Sequence, residues 1–150
     1  MSKNDHIERK ILQELRREGR LSNLDLAERV GLSPSACLRR VQELEREGVI
    51  AGYRAVVDRS KRGIGFVAYV TVGLNSHTKD SQEAFERALA RSEEVVECHN
   101  ITGAVEYLLR VEAADLAAYK RFHTDVLGVL PQVNAITSYV VMGSPKDLRA

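Results

Sequence analysis

The chain has 150 residues, of which 44% are hydrophobic and 29% charged, a composition typical of a soluble globular protein. No apolar run approaches the roughly 18 residues that a membrane span requires. The N-terminal sequence has no apolar core and no cleavage site of an export signal, so we expect a cytoplasmic protein with no membrane partner. The net charge is only +1, yet residues 1–64 carry +4 and residues 65–150 carry −3. This asymmetry favours contact of the first half with a polyanion.

Two helices are predicted in the first thirty residues. Asp5 resembles the N-cap of a helix that ends near Gly19. Its apolar residues recur on one helical face: Ile7, Ile11, Leu12 and Leu15. Ser22 begins a second, shorter helix, and Gly31 is placed to end it in the left-handed conformation.

A third helix is predicted to start at Ser33 and Pro34, because serine caps free amides and proline at the first helical position loses no hydrogen bond. It runs to Gly48. Its inward face consists of Cys37 or Leu38, then Val41 and Leu44, which turns Ser35, Ala36, Arg39 and Glu43 outward and places Arg40 on the flank. A short turn containing glycine between two short helices predicts a helix-turn-helix.

The outward face of this third helix has the chemistry that reads the DNA major groove. Hydroxyl groups contact base edges or phosphates, and guanidinium groups pair with guanine or clamp phosphate. Taken alone, two arginines on a helix more often form a solvated basic face. Their place on the second helix of a helix-turn-helix reverses that preference and predicts these DNA contacts: Ser33, Ser35, Arg39 and Arg40.

The rest of the chain changes to β-forming patterns. Residues 49–57 suggest a wing-like strand or hairpin, and a polar, basic stretch at 59–64 suggests a linker. The remainder alternates strand, helix, strand, strand, helix and strand, over residues 66–74, 81–91, 95–102, 106–111, 116–127 and 133–142. This order predicts a ferredoxin-like βαββαβ sandwich with helices on one sheet face and an apolar second face for a partner or ligand.

Metal and cofactor chemistry have no support in the sequence. Cys37 and Cys98 are far apart without a zinc-site spacing, so we expect two buried thiols. The four histidines make no ligand pattern. We expect no metal and no cofactor.

Two blocks of sequence carry a family resemblance. The first is LSNLDLAERVGLSPSACLRRVQELEREGVIAGYRAVVD, and the second joins ECHNITGAVEYLLRV to VNAITSYVVM. The chain resembles the Lrp/AsnC, or feast/famine, transcriptional regulators along nearly its whole length. The resemblance implies an α+β protein with a winged helix-turn-helix domain at 1–58, a linker at 59–64 and a ferredoxin-like (RAM/ACT-like) effector and oligomerisation domain at 65–150. It also implies a palindromic double-stranded DNA operator and homodimers that assemble into an octamer.

The same resemblance implies an amino-acid effector bound in a cleft between subunits. The matching positions are Asn100, Thr102, Gly103, Ala104, Val105, Glu106, Ser138, Tyr139 and Val140. Gly103 would let the backbone approach a ligand, and Glu106 would receive an ammonium group. The alternative is an ordinary hairpin turn with a solvated Glu106. The family often has an aspartate where this chain has Ala104, which leaves the effector's identity open.

Two other classes of function remain to be weighed. An enzyme would need a convergent nucleophile, base and anion-binding loop, and the sequence offers no such motif, so we expect no catalytic residues. A DNA-compacting architectural protein would share the basic N-terminal surface but bind with little sequence preference. A regulator of amino-acid metabolism or transport genes is the favoured function. No motif in the sequence indicates which operator it binds or whether it activates or represses transcription.

Overall fold

The computed structural model describes residues 3–147, with side chains from His6 onward. The chain divides into two compact units, Met1–Val56 and Val57–Ala150. The stretch 59–64, predicted as a linker, lies in the second unit, where Ser60–Arg62 form a 3₁₀ turn. The predicted domain boundaries at 58 and 65 stay predictions.

The first unit is built from three helices: α1 (Lys3–Arg17), α2 (Asn23–Val30) and α3 (Pro34–Arg46). They enclose a small apolar core of Ile11, Leu26, Ala27, Val30, Cys37 and Leu44, with Ile7, Leu12, Leu15 and Val41 packed against it. The predicted apolar face of the first helix is thus confirmed. For the third helix, Cys37 is fully buried and Leu38 is exposed, which resolves the alternative in favour of Cys37.

Local hydrogen bonds fix where α2 and α3 begin and end. The Ser22 hydroxyl accepts from the backbone N–H of Asp25, and the Ser33 hydroxyl accepts from that of Ala36. Gly31 follows α2 with φ 75° and ψ 39°, the left-handed conformation that an L side chain adopts only at a cost. The predicted caps at Ser22, Gly31 and Ser33 are confirmed, and the chain turns sharply between the two helices as a result.

Replacing Gly31 with alanine is expected to lower the free energy of unfolding by about 1–2 kcal/mol. No heavy atom lies within 4 Å of the added methyl group, so the cost comes from the left-handed backbone and not from a clash. Urea denaturation of the full chain measures the effect. Gly19→Ala is the matched control, because its added carbon meets only ordinary contacts and Gly19 has no positive φ. An equal loss in both variants would contradict this explanation.

Two predictions in the first unit are wrong. Asp5, expected to cap α1, lies inside that helix, which extends to Lys3, and its side chain is outside the described residues. Residues 49–57 form no strand or hairpin within the described part of the chain. A strand requires a neighbour for its backbone groups, and no segment of the described first unit pairs with it, so β-forming residues alone do not produce one.

The second unit has the predicted βαββαβ order: β1 (Phe66–Leu74), α4 (Lys79–Leu89), β2 (Val95–Asn100), β3 (Tyr107–Ala113), α5 (Leu116–Phe122) and β4 (Val133–Val140). The strands form one antiparallel sheet in the order β2-β3-β1-β4. The fold class is therefore confirmed: a helix-turn-helix unit followed by an α+β sandwich. The helix predicted over 116–127 ends at Phe122 and continues as a π-helical turn, His123–Leu127.

The helices cover one face of this sheet. Alternate strand residues point into the core, where they meet α4, α5 and the π-helical turn through Phe85, Leu89, Tyr119, Phe122 and Leu127. The sequence predicted an apolar surface for the opposite face, but the structure places charged residues there as well. This face carries Tyr69, Arg110 and Glu112 beside apolar residues, since the register pairs Tyr69 with Arg110 across β1 and β3.

An ion-pair network occupies that second face. Arg110 Nε and Arg59 Nε both donate to Glu112 Oε1, at 3.1 and 2.9 Å. The Arg110 guanidinium also lies 5.5 Å from the centre of the Tyr69 ring. Arg110 and Glu112 are only 4% and 7% exposed, so each charge depends on the other for compensation. The segment that contains Arg59 is anchored to the sheet by this contact.

Candidate DNA-binding surface and effector site

The turn between α2 and α3 is held by side-chain contacts as well as by Gly31. Asn23 Nδ2, at the start of α2, donates to the Pro34 carbonyl oxygen at 2.8 Å. At the back of α2, Arg29 contacts the Glu14 and Glu18 carboxylates of the α1 region, both at 3.1 Å. The Asn23 contact fixes the start of α3, and the Arg29 contacts hold α2 against the α1 region. A recognition helix needs such fixed neighbours to present its side chains reproducibly.

Three of the four predicted DNA contacts are exposed on α3 or at its start. Ser33, Ser35 and Arg39 are all accessible, and the Arg39 side chain is 68% exposed. Its guanidinium lies 3.8 Å from Glu43, one turn along the helix, an exposed pair that holds it only weakly. Arg39 can therefore leave this contact to reach a base or a phosphate.

Arg40 has a different environment. Its guanidinium donates to Glu8 Oε1 of α1 at 3.0 Å, and its side chain is only 17% exposed. This long-range pair ties α3 to α1. The structure thus separates the two adjacent arginines, one facing solvent and the other bound within the helical unit.

The predicted effector turn connects β2 to β3. Thr102, Gly103 and Ala104 are exposed, and Gly103 has a φ of 127°, which favours glycine. Two hydrogen bonds close the base of the turn on the Glu106 carbonyl oxygen: one from the Ile101 N–H at 2.8 Å and one from Asn100 Nδ2 at 3.3 Å. The turn projects from the sheet on a defined base.

The Glu106 side chain is already engaged within the chain. Its Oε2 accepts from the Leu74 N–H at 2.6 Å, and its Oε1 lies 2.9 Å from Nδ1 of His77. The Glu106 side chain is 12% exposed and that of His77 is 81% exposed. Glu106 is therefore not the solvated strand residue of the alternative interpretation. It links the start of β3 to the end of β1 through the Leu74 N–H, and its other contact is with the exposed side chain of His77.

One chain does not bring all nine predicted effector residues together. Asn100 is on β2 and Ser138 on β4, the two opposite edges of the sheet, about 14 Å apart at ordinary strand spacing. The register also divides the β4 residues: Ser138 and Val140 pair with core-facing positions of β1, and Tyr139 pairs with Tyr69 on the second face. The Ser138 hydroxyl is hydrogen-bonded to the Tyr119 hydroxyl.

A cavity of about 340 Å³ lies between α4 and β2, and of the nine predicted effector residues only Asn100 lines it. It is lined by Glu86, Leu89, Ala90, Val95, Val96, Glu97, Cys98, Asn100 and Tyr107. The Tyr107 hydroxyl donates to Glu86 at 2.6 Å, and burial together with this bond raises the Tyr107 pKa. Partial desolvation of the thiol group and the nearby Glu86 also raise the pKa of Cys98, which disfavours the nucleophilic thiolate. Cys98 is exposed, so the expectation of two buried cysteines holds only for Cys37.

Neither a metal centre nor a membrane span is found in the part of the chain that the structure describes. Among the side chains that the structure describes, from His6 onward, no three of histidine, cysteine, aspartate or glutamate are grouped to hold a metal ion. No described helix is both long and apolar enough to cross a membrane.

The chain joins a helix-turn-helix, the motif of DNA-binding regulators, to an α+β unit with an exposed glycine turn. Residues 4–51 match the family of winged helix-turn-helix DNA-binding domains, and residues 67–150 match the Lrp/AsnC ligand binding domain. The leucine-responsive regulatory protein of Escherichia coli (strain K12) is 42% identical over 143 residues, which cover 95% of this chain and 87% of that protein. The chain belongs to the Lrp/AsnC family, whose members are transcriptional regulators and not enzymes.

Solved structures agree with this assignment. A transcriptional regulator of Neisseria meningitidis, determined as a complex with L-methionine, is 35% identical, with a TM-score of 0.90, and the match covers 98% of this chain and 93% of that one. An AsnC-family transcriptional regulator of Agrobacterium tumefaciens is 33% identical, with a TM-score of 0.89 and coverage of 98% and 94%. The resemblance identified from the two sequence blocks is confirmed.

Several residues that shape these sites were not predicted from the sequence. Glu8 binds Arg40, Asn23 holds the turn, and His77 and the Leu74 N–H bind Glu106. Asn23 acts through the Pro34 carbonyl oxygen, 11 residues away, and not as a helix cap, since Ser22 caps α2. The others pair across 29 to 32 residues, and no local pattern indicates which distant segments will meet.

Proposed function

We propose that this DNA-binding regulator is sequence-specific, responds to an amino acid and controls genes of amino-acid metabolism or transport. The observation that carries the proposal is the exposed Ser35 and Arg39 surface on a capped recognition helix, joined in one chain to a ligand-binding domain. The L-methionine complex of the Neisseria regulator supports an amino acid as the effector class.

For DNA, the proposed contacts are Ser33, Ser35, Arg39 and Arg40. Arg39 is the main contact to a base, because its guanidinium is exposed and only weakly held. Arg40 contributes chiefly by fixing α3 against Glu8, and its polar end reaches DNA only at the edge of the surface. The serine hydroxyls, which lie 3.4 Å apart at the helix start, contact phosphate.

For the effector, the proposed cleft combines residues of two copies of the chain. The first copy supplies Asn100, Thr102, Gly103, Ala104, Val105 and Glu106, and the second supplies Ser138, Tyr139 and Val140. The effector's ammonium replaces the exposed His77 beside Glu106 Oε1, while Oε2 stays on the Leu74 N–H. Backbone amides of the glycine turn receive the carboxylate.

An architectural protein that coats DNA is the competing function, and a selection experiment distinguishes it. Full-length protein is incubated with a pool of random duplexes, and the bound DNA is amplified over several rounds. A regulator enriches one palindromic site and binds it at least about 1,000 times more tightly than random duplex at the same salt concentration. No enriched sequence would contradict sequence-specific regulation.

The protein is expected to form at least a dimer, and we propose that dimers assemble into an octamer. Two-fold symmetry places two recognition helices about 34 Å apart, in successive major grooves of a palindromic operator. Light scattering at micromolar concentration measures the assembly. A mass equal to the 16.7 kDa of one chain would contradict both the dimer and the shared effector cleft.

A further inference from the structure

Leu38 is an exposed leucine on the helix that we assign to the major groove. It is 47% exposed. Of its neighbours in sequence, Cys37 is buried in the core and Arg39 faces solvent. The inward positions of α3 are filled by Cys37, Val41 and Leu44. The packing of the helical unit therefore does not require a large apolar side chain at position 38.

The position of Leu38 on the helix sets it apart from other exposed leucines. Residues three and four apart are neighbours on a helix surface, so Leu38 lies beside Ser35 and beside the exposed Gln42. Together with Arg39 these form one continuous surface with a hydroxyl, an amide, a guanidinium and an apolar branch. Leu24 is even more exposed, at 67%, but it is on α2 and outside this surface.

The major groove presents one apolar feature to such a surface, the 5-methyl group of thymine. Hydroxyl, amide and guanidinium groups match the donors and acceptors of base edges, whereas an isobutyl group matches none of them. Against a thymine methyl, both groups leave water, which is favourable by about 0.8 kcal/mol for each buried methylene-sized group. Against cytosine or guanine, the leucine would cover a polar edge without a hydrogen bond.

We propose that Leu38 is a specificity-determining residue that reads a thymine in each operator half-site through its 5-methyl group. The inference rests on the proposed sequence-specific binding and goes beyond it, because it names the base and the atom that is read. Ser35 and Arg39 flank Leu38, so the thymine lies next to the base that Arg39 contacts.

The test removes single methyl groups from the DNA. In the enriched operator, each thymine is replaced in turn by deoxyuridine, which keeps all base-pairing groups and lacks only the methyl. Full-length wild-type protein should bind about fourfold more weakly for each contacted methyl that is lost, the equivalent of about 0.8 kcal/mol. The same titrations are made with Leu38→Ala, with Leu38→Gln, which keeps a long side chain that favours helix, and with Leu24→Ala as the matched control.

The expected result is a double-mutant cycle with coupling at one thymine position in each half-site. Leu38→Ala and Leu38→Gln should bind the thymine and deoxyuridine operators equally there, while Leu24→Ala keeps the wild-type difference. An operator without any methyl-sensitive thymine would overturn the assignment of Leu38, and so would Leu38 variants that keep the full methyl sensitivity. Failure to enrich any operator would instead contradict the proposed function itself, and with it this inference.

Discussion

Replacing Arg39 with alanine is expected to weaken binding to the specific operator by about 5-fold to 150-fold, the equivalent of roughly 1–3 kcal/mol. The side chain is 68% exposed and its contact with Glu43 is 3.8 Å long, so the loss reflects DNA contact and not the stability of the fold. If Arg39 reads a base, the variant should also lose its preference at one operator position. Fluorescence anisotropy on the operator and on its single-base variants, at fixed salt concentration, measures both effects.

The control is Arg87→Ala, which removes the same charge from an exposed position on α4, where the side chain is 70% exposed and faces Glu83. It should leave binding to every duplex unchanged. A uniform loss in Arg39→Ala across all sequences, with a shallower salt dependence, would identify a phosphate contact in place of a base contact. Unchanged affinity in Arg39→Ala and in the double variant with Arg40→Ala would remove α3 as the recognition helix.

Local features of the helical unit were predictable because their causes lie within a few residues. The hydroxyl of Ser22 or Ser33 needs only an amide three positions later, and the left-handed turn at Gly31 needs only the missing side chain. The run of β-forming residues at 66–74 likewise predicted Phe66–Leu74 with the bounds that the structure has. Such features depend on the chain's own neighbouring atoms.

Features that depend on distant partners were not predictable. The β-forming residues 49–57 have no strand neighbour in the described first unit, so their propensity leads to no ladder. Arg39 and Arg40 are adjacent in sequence, and only the packing of α3 on α1 shows that one of them meets Glu8. For the candidate effector site, the order β2-β3-β1-β4 separates Asn100 from Ser138, a fact that follows from sheet topology and not from either motif.

Glu106 combines a structural contact with the proposed effector contact, and two substitutions can separate them. In Glu106→Ala the Leu74 N–H loses the acceptor that it has at 2.6 Å, so we expect a loss of about 1–3 kcal/mol in the free energy of unfolding. In Glu106→Gln an amide oxygen remains to accept from Leu74, so the loss of stability should be smaller. Both substitutions remove the carboxylate that would pair with an ammonium group.

Thermal unfolding with each of the twenty amino acids tests the effector contact. An effector at 100 times its dissociation constant should stabilise the wild-type protein by about 2.7 kcal/mol, which raises Tm by several degrees. Glu106→Gln should lose this response while keeping most of its stability without effector. Glu83→Gln changes a residue of α4 whose side chain is 45% exposed, and it should respond like the wild type. A full response in Glu106→Gln would show that the ammonium binds elsewhere. A ligand that binds the folded state must raise Tm. If no amino acid shifts the wild-type Tm at millimolar concentration, the proposal of an amino-acid effector at the glycine turn and Glu106 is wrong.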